Sequence, residues 1–313
     1  MVQHGWAPKT RTGYATAVRR YLTFASQHLI DPLPLSEEKI ACFIAFLDVQ
    51  ALSHRTVKTY LAGLRAWVIA MGLPEPNFWS PKIHLMIKSM HKARPPPPQP
   101  LPITFPLLTS MVNSLSNSQD HLMLAAAMTL QFFACLRASE LCSDGNPGSP
   151  PLRSSVHFPP NKTPPIMVYT VSKSKTNPHG FQVHLGCSGH QVCAVCIIHL
   201  LISSRPVSPT SPLFKFSSGA PLTYQLYNTA IKQIALGAGI DPSRVSSHSF
   251  RAGAATQAAS AGLESHNIQR LGRWRSDAYT TYMRPSPESY ALLAPHLTSS
   301  TPQPPANLTT MHS

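Results

Sequence analysis

Apolar residues recur at helical spacing through the first 93 residues of the chain. The apolar positions of three predicted helices are Tyr14, Val18, Tyr21, Leu22 and Ala25; Ile40, Phe43, Ile44 and Leu47; and Val57, Tyr60, Leu61, Leu64, Val68 and Met71. Ser36 and Ser53 precede the second and third sets as helix caps. A fourth helix is predicted from Pro81 to about Lys92. Residues 1–93 are therefore predicted to form a helical bundle.

A run of prolines follows this bundle. Residues 94–102 read Arg-Pro-Pro-Pro-Pro-Gln-Pro-Leu-Pro. Prolines at this density prevent helix formation and favour an extended, semi-rigid spacer. The run is the clearest domain boundary in the sequence, and we assign residues 94–102 to a linker.

The remaining sequence mixes two periodicities. Helices are predicted at about 105–117, at 119–135 and again from about 193 onward, a loop at 143–165, and two short strands at 167–171 and 181–185, joined by a hairpin turn. We assign residues 103–298 to a second domain and residues 299–313, which are rich in Ser, Thr and Pro, to a disordered tail. The predicted fold class is mainly α: a helical bundle followed by an α+β domain with a small antiparallel sheet.

The charge of the chain indicates an anionic partner. Its 313 residues include 26 Lys and Arg against 12 Asp and Glu, a formal charge of +14. Such an excess is typical of nucleic-acid binding. Four basic residues that lie between the apolar positions of the bundle are candidates for phosphate contacts: Arg11, Arg19, Arg55 and Lys58. The alternative is that they only solvate the helix faces.

The sequence gives no indication of a membrane or a secretory route. No run approaches 18 apolar residues, and the first residues lack the core of a signal peptide. We therefore expect a soluble intracellular protein without a membrane partner.

Three cysteines and two histidines lie at regular spacing between 187 and 199. The pattern is Cys187-x2-His190-x2-Cys193-x2-Cys196-x2-His199. This spacing can hold zinc. The alternative is a loop and a helix that carry these residues by chance, because no second Cys-x2-Cys pair supports a zinc site. No metal is assigned to the candidate catalytic residues.

Several residues have the chemistry that phosphoryl transfer requires. Arg251 follows His248 by three residues, so both project from one face of a helix start. The planar fork of an arginine suits a phosphate. Arg137 follows a buried apolar run, where it must be paired or face a cleft. Glu140 can orient Arg137, and the alternative for Arg137 is a structural ion pair with Glu140.

A lysine and a tyrosine complete the candidate set. Lys175 lies on the predicted hairpin turn, where it can serve as a general acid or simply lie at the surface. Tyr282 has a weakly nucleophilic phenol, because the pKa of tyrosine is about 10. A strongly cationic pocket that holds a phosphodiester would make this phenol useful.

In the order Arg137, Lys175, His248, Arg251, Trp274, Tyr282, the chain resembles the tyrosine recombinase, or phage-integrase-like, family. The segments LRASEL, SKTNP, HSFRAGAATQAASAG and LGRWRSDAYTTYMR carry the resemblance. The sequences of these segments are most similar to recombinases of eukaryotic mobile elements, the Crypton and DIRS-like groups. The resemblance covers nearly the whole chain. It implies a core-binding (SAM-like) helical domain followed by a catalytic domain.

The resemblance also implies a role for each residue. Tyr282 would attack the scissile phosphate and form a 3′-phosphotyrosyl link, while Arg137 and Arg251 hold the non-bridging oxygens. Lys175 would protonate the leaving 5′-oxygen, and His248 would act as a general acid and base. Trp274 would pack or donate its indole N–H to the phosphate. The implied partner is double-stranded DNA bound by a homo-tetramer, in the nucleus, with no cofactor and no small-molecule substrate.

Alternatives remain for three positions and for the activity. Tyr279 competes with Tyr282, Arg273 with Trp274, and Lys173 with Lys175; we favour Tyr282 and Lys175 because they match the family's pattern. The function predicted is site-specific DNA recombination. The alternatives are a catalytically inactive, domesticated DNA-binding protein and a type IB topoisomerase-like enzyme.

Overall fold

The computed structural model describes residues 6, 8–95, 99–144, 151–163, 165–174 and 177–281. The chain divides into two compact units, Met1–Pro97 and Pro98–Ser313. The division falls within the proline run at 94–102. Within the described ranges, no helix combines the length and the apolarity that crossing a membrane requires.

The first unit contains four helices: α1 (Pro8–Gln27), α2 (Glu37–Val49), α3 (His54–Ala70) and α4 (Pro81–Ala93). Ser36, Ser53 and Ser80 cap the last three, because each hydroxyl accepts a hydrogen bond from the backbone N–H three residues later. The apolar faces meet in one core that includes most of the predicted positions of all three patterns. Leu22 and Met71 are exposed, and Tyr14 and Ala25 lie outside this cluster, although Ala25 is buried.

The second unit is mainly helical. Its elements are α5 (Phe105–Asn113), α6 (Gln119–Phe133), β1 (Val156–His157), β2 (Ile166–Val171), β3 (Phe181–Gly186), α7 (Ala194–Ser204), α8 (Tyr224–Gly237), α9 (Ser247–Ser260) and α10 (Ser265–Gly272). The strands form one antiparallel sheet in the order β1-β2-β3. The predicted fold class, mainly α with a small antiparallel sheet, is confirmed.

Two segments differ from the sequence prediction. The predicted loop at 143–165 contains β1, which pairs Val156 with Tyr169 of β2. The predicted helical region after 193 is interrupted between α7 and α8, where short bridges join Leu152 to Pro212 and Lys215 to Pro221. Both features depend on pairing with distant residues, so the local pattern does not contain them.

Helix α6 lies at the centre of the second unit. Its residues 123–132 are all buried, so other elements enclose it on every side. The buried Gln131 joins it to two other helices: its Nε2 donates to the Ser247 carbonyl (2.9 Å), and its Oε1 accepts from the Tyr227 hydroxyl (2.7 Å). These bonds fix the end of α6 against the start of α9.

Helix α9 also packs against the backbone of the segment that enters the second unit. The Ile103 N–H donates to the Ser249 carbonyl (2.9 Å). A Cβ on Gly253 would lie 1.7 Å from the Ile103 carbonyl oxygen. Only glycine allows this approach, which sets the position of α9 and of the residues at its first turns.

Candidate active site

Arg137 lies just after α6 and pairs with a buried carboxylate. Cys135 has a φ of 47°, which turns the chain at the end of the helix. The backbone N–H of Arg137 donates to Glu140 Oε2 and its Nη1 donates to Glu140 Oε1, both at 2.9 Å. The Glu140 side chain is fully buried, whereas the Arg137 side chain is 25% exposed. The predicted ion pair is therefore present, and part of the guanidinium remains accessible.

Arg251 and His248 lie in the first turns of α9. Arg251 is 1% exposed, and its guanidinium donates to the backbone carbonyls of Cys135 and Gly272. Burial lowers the pKa of Arg251. His248 is exposed; loss of surrounding water lowers its pKa, and the positive charges of Arg251 and Arg137 lower it further. His248 therefore lies within the electrostatic reach of both arginines.

Trp274 covers Arg251. The Arg251 Cζ lies 4.3 Å from the centroid of the Trp274 ring. Gly272 makes room for the indole, because a Cβ there would lie 1.7 Å from a Trp274 ring carbon. In this arrangement the guanidinium offers almost no surface to solvent, so a phosphate contact from Arg251 requires Trp274 to move.

Arg273 joins the same cluster from the other side. It ends α10 in a left-handed conformation, with a φ of 55°. Its Nη2 donates to the Cys135 carbonyl (3.1 Å) and to Glu140 Oε2 (3.4 Å). Its Cζ lies 4.3 Å from the Phe181 ring centroid, and burial lowers its pKa. The sequence suggested Arg273 only as a competitor of Trp274, yet the structure brings both into the site.

The cluster has more positive than negative charge. Among the described residues, the guanidinium groups of Arg137 and Arg273 pair with the Glu140 carboxylate, and Arg251 lies within the electrostatic reach of the same carboxylate. The Nε of Arg273 is buried and has no hydrogen-bond partner among the described residues. Buried charges are stable when they are paired, so the excess charge favours binding of an anion such as a phosphate.

Two predicted catalytic residues, Tyr282 and Lys175, lie outside the described residues. Their sequence neighbours are described. Tyr279 is buried, 6% exposed, in a small cluster with Ala255, Ala258 and Ile268. Tyr279 therefore packs inside the second unit.

The turn that precedes β3 carries the candidate lysines. Lys173 is exposed. The Asn177 side chain donates to the Gly180 carbonyl (2.6 Å), and the Ser174 N–H donates to the Asn177 carbonyl (2.8 Å). These bonds shape the described parts of the turn on either side of Lys175.

The four basic residues predicted to bind DNA are exposed, and they fall into two groups in the first unit. Arg11 and Arg19 line a groove of about 440 Å³ together with residues of α3 such as Trp67.

The second group, Arg55 and Lys58, lies in the first turns of α3. Loss of water and the charges of His91, Lys58 and Arg55 lower the pKa of the neighbouring His54. Basic groups therefore lie close together at the start of α3.

The cysteines and the histidines of the segment 187–199 have different neighbours. The Sγ atoms of Cys187, Cys193 and Cys196 all lie within 4.8 Å of one another. The rings of His190 and His199 instead contact Phe105 and Phe158, with centroid distances of 4.9 and 5.3 Å. The structure therefore brings together the three cysteines of the predicted zinc pattern without the histidines.

Solved structures with the same fold are bound to DNA. XerH site-specific recombinase in a post-cleavage complex with palindromic difH substrate is 15% identical, with a TM-score of 0.64 over 90% of this chain and 78% of that chain. The Tn1549 transposon integrase with transposon right end DNA is 15% identical, with a TM-score of 0.64 over 95% and 96%. A lambda integrase dimer bound to a COC′ core site is 14% identical, with a TM-score of 0.58 over 90% of both chains.

Sequence comparison gives a narrower result. No curated protein matches this chain. A family model described as the phage integrase family matches residues 168–288. The matched region contains Lys175, His248, Arg251, Trp274 and Tyr282, whereas Arg137 precedes it. Residues 168–288 of this chain are therefore similar to the phage integrase family, and the chain has the fold of solved site-specific recombinases.

Proposed function

We propose that the chain is a site-specific DNA recombinase that cuts and rejoins DNA through Tyr282. The observation that carries the proposal is the cluster of Arg137, Arg251 and Arg273 around the single carboxylate of Glu140. A scissile phosphate would supply the missing negative charge. The family match over residues 168–288 and the DNA-bound relatives of the same fold support this assignment.

The reaction is an exchange of phosphodiester bonds. The Tyr282 oxygen attacks the phosphorus and forms a 3′-phosphotyrosyl bond, while the bond to the 5′-oxygen breaks. Lys175 gives a proton to the 5′-oxygen, and His248 takes the proton of the Tyr282 phenol. The arginines stabilise the charge on the non-bridging oxygens. A 5′-hydroxyl of another strand then reverses the steps, and the bond energy is conserved.

DNA binding must open the site over Arg251. In the structure Trp274 covers this guanidinium. Movement of the indole on DNA binding would expose Arg251 and leave the indole N–H beside the phosphate. Arg251 would then contact the phosphate only after the indole has moved, because its side chain is buried in the described structure.

The closed arrangement also favours a second candidate, a catalytically inactive DNA-binding protein. If Trp274 stayed over Arg251 when DNA binds, Arg251 could not join Arg137 in holding the phosphate. The two candidates predict different products from a plasmid that carries two copies of the chain's own target site. Recombination gives exchanged strands, whereas an inactive protein leaves the plasmid unchanged. Supercoil relaxation without exchange would indicate a topoisomerase-like activity instead.

The assembly and origin of the protein extend the proposal. We expect a homo-tetramer on two duplexes, since strand exchange needs two sites to be cut together. The amino-acid sequence of the catalytic segments supports an origin in a mobile element of the Crypton or DIRS-like type and action in the nucleus. Cross-linking on DNA that stops at the dimer would contradict the tetramer.

A further inference from the structure

The thiols of Cys187, Cys193 and Cys196 form a compact group outside the candidate active site. The Sγ atoms of Cys187 and Cys196 are 3.4 Å apart, and those of Cys193 and Cys187 are 3.8 Å apart. A tetrahedral zinc ion with Zn–S distances of about 2.3 Å holds its sulfurs roughly 3.8 Å from one another. The three thiols therefore stand at the separation that one zinc ion requires, and all three are free.

The backbone holds these thiols on two elements. Cys187 follows β3, and its N–H donates to the Pro165 carbonyl (2.9 Å). Cys193 is the residue that begins α7, and Cys196 lies in the first turn of that helix. The Ser188 N–H donates to Cys193 Sγ (3.3 Å). Backbone N–H groups that donate to sulfur orient the ligands of metal sites.

The type of ligand also suits zinc. Cysteine sulfurs are soft ligands, for which zinc is the usual divalent partner. The first turn of α7, which carries Cys196, contains no acidic residue. The group therefore has both the ligand type and the spacing of a zinc site.

The surroundings indicate where the fourth ligand comes from. Cys193 is buried, Cys187 is half-buried and Cys196 is exposed. His190 contacts Phe105, and its Nδ1 accepts from the Val192 N–H (3.0 Å). His199 contacts Phe158. Among the described residues no imidazole nitrogen joins the three sulfurs, so we infer that water from the exposed side is the fourth donor.

We propose that Cys187, Cys193 and Cys196 bind one zinc ion, with water as the fourth ligand. The ion would join the end of β3 to the start of α7. Because β3 pairs along its whole length with β2, the ion would also stabilise the two strands next to the turn that carries Lys173.

Metal analysis of the full-length, tag-free protein tests this inference. We expect about one zinc per chain, falling below about 0.2 in Cys193→Ser and in Cys196→Ser. Cys196→Ser is the safer variant, because Cys196 is exposed. Cys42→Ser is the matched control, since Cys42 is an exposed free thiol in the first unit, and it should keep the metal. His190→Ala should keep it too if water is the fourth ligand; loss of zinc there would overturn that assignment.

Cobalt gives a second readout. Replacement of zinc by Co²⁺ should give the near-ultraviolet thiolate charge-transfer band and the strong visible bands of a tetrahedral site, and Cys196→Ser should lose both. Three results would overturn the proposal: little zinc in the wild-type protein, unchanged zinc in both cysteine variants, or a Cys187–Cys196 disulfide in the purified protein. Circular dichroism of each variant would show that loss of metal does not follow from unfolding.

Discussion

The indole of Trp274 lies over the guanidinium of Arg251, 4.3 Å from Cζ to the ring centroid. A desolvated pair of this kind contributes about 2 kcal/mol. The guanidinium also donates to the Cys135 and Gly272 carbonyls. Arg251 thus has partners in the described structure, and our proposal requires a bound phosphate to replace the contact with Trp274.

The first prediction concerns the emission of Trp274. The chain has four tryptophans, so a protein with Trp6→Phe, Trp67→Phe and Trp79→Phe reports on Trp274 alone. We expect its fluorescence to change when duplex DNA binds, because the indole leaves Arg251. High salt should release the DNA and restore the first spectrum. An emission unaffected by saturating DNA would mean that Trp274 stays in place and Arg251 stays closed.

The second prediction concerns Glu140. Its fully buried carboxylate pairs with Arg137 and Arg273, whose side chains are 25% and 22% exposed. Glu140→Gln removes the charge but keeps the shape, so the arginines repel each other. We expect a loss of about 2–3 kcal/mol in the free energy of unfolding, less than for a fully buried pair because both arginines still touch water.

Chemical denaturation measures the effect of Glu140→Gln. Glu264→Gln is the matched control, because Glu264 pairs with His266 at the surface, where ion pairs contribute little. Equal effects of the two substitutions would show that Glu140 does not hold the arginine cluster together.

The third prediction is a pH dependence of stability from His248. Loss of surrounding water and then the charges of the neighbouring arginines lower the pKa of His248 in the folded chain, whereas the unfolded value is about 6.5. Between these two values the unfolded chain binds more protons, so stability falls as the pH drops below about 6.5. Wild-type protein should lose more stability than His248→Gln between about pH 8 and pH 5.5. If stability fell equally with pH in the wild-type protein and in His248→Gln, His248 would lie away from the arginines.

The fourth prediction concerns the basic start of α3. Each phosphate contact contributes about 0.9 to the slope of log affinity against log salt. Lys58→Gln should therefore make this slope shallower by about that amount, and combining it with Arg55→Gln should double the change. Lys232→Gln, an exposed lysine on α8, is the control. Fluorescence anisotropy from about 50 to 200 mM salt measures the slopes. Unchanged slopes in both α3 variants would remove this group from the DNA interface.

Local patterns were sufficient for much of the fold. The capping serines and the apolar spacing predict α2 and α3 within a few residues of their observed ends. Short runs of β-forming residues joined by turn residues predict β2 and β3 in the same way. The two-residue strand β1 escapes such patterns, because only its pairing with Tyr169 and Val168 defines it.

The site was predictable in its residue types but not in its arrangement. Spacing alone identifies Arg137, His248 and Arg251. It does not show that Arg273, with a left-handed backbone that is rare outside glycine, turns its side chain toward Glu140. Nor does it show that Trp274 stacks on Arg251. Both contacts depend on the packing of α10 against α9, which joins residues more than twenty positions apart.

Formation of a covalent DNA adduct tests the central claim most directly. A nicked duplex from the chain's own locus, which traps the cleaved strand, is incubated with wild-type protein, Tyr279→Phe and Tyr282→Phe. We expect a protein–DNA adduct from the wild type and from Tyr279→Phe, and none from Tyr282→Phe. An adduct that survives Tyr282→Phe would contradict the nucleophile assigned here, and no adduct from any of the three would contradict the recombinase.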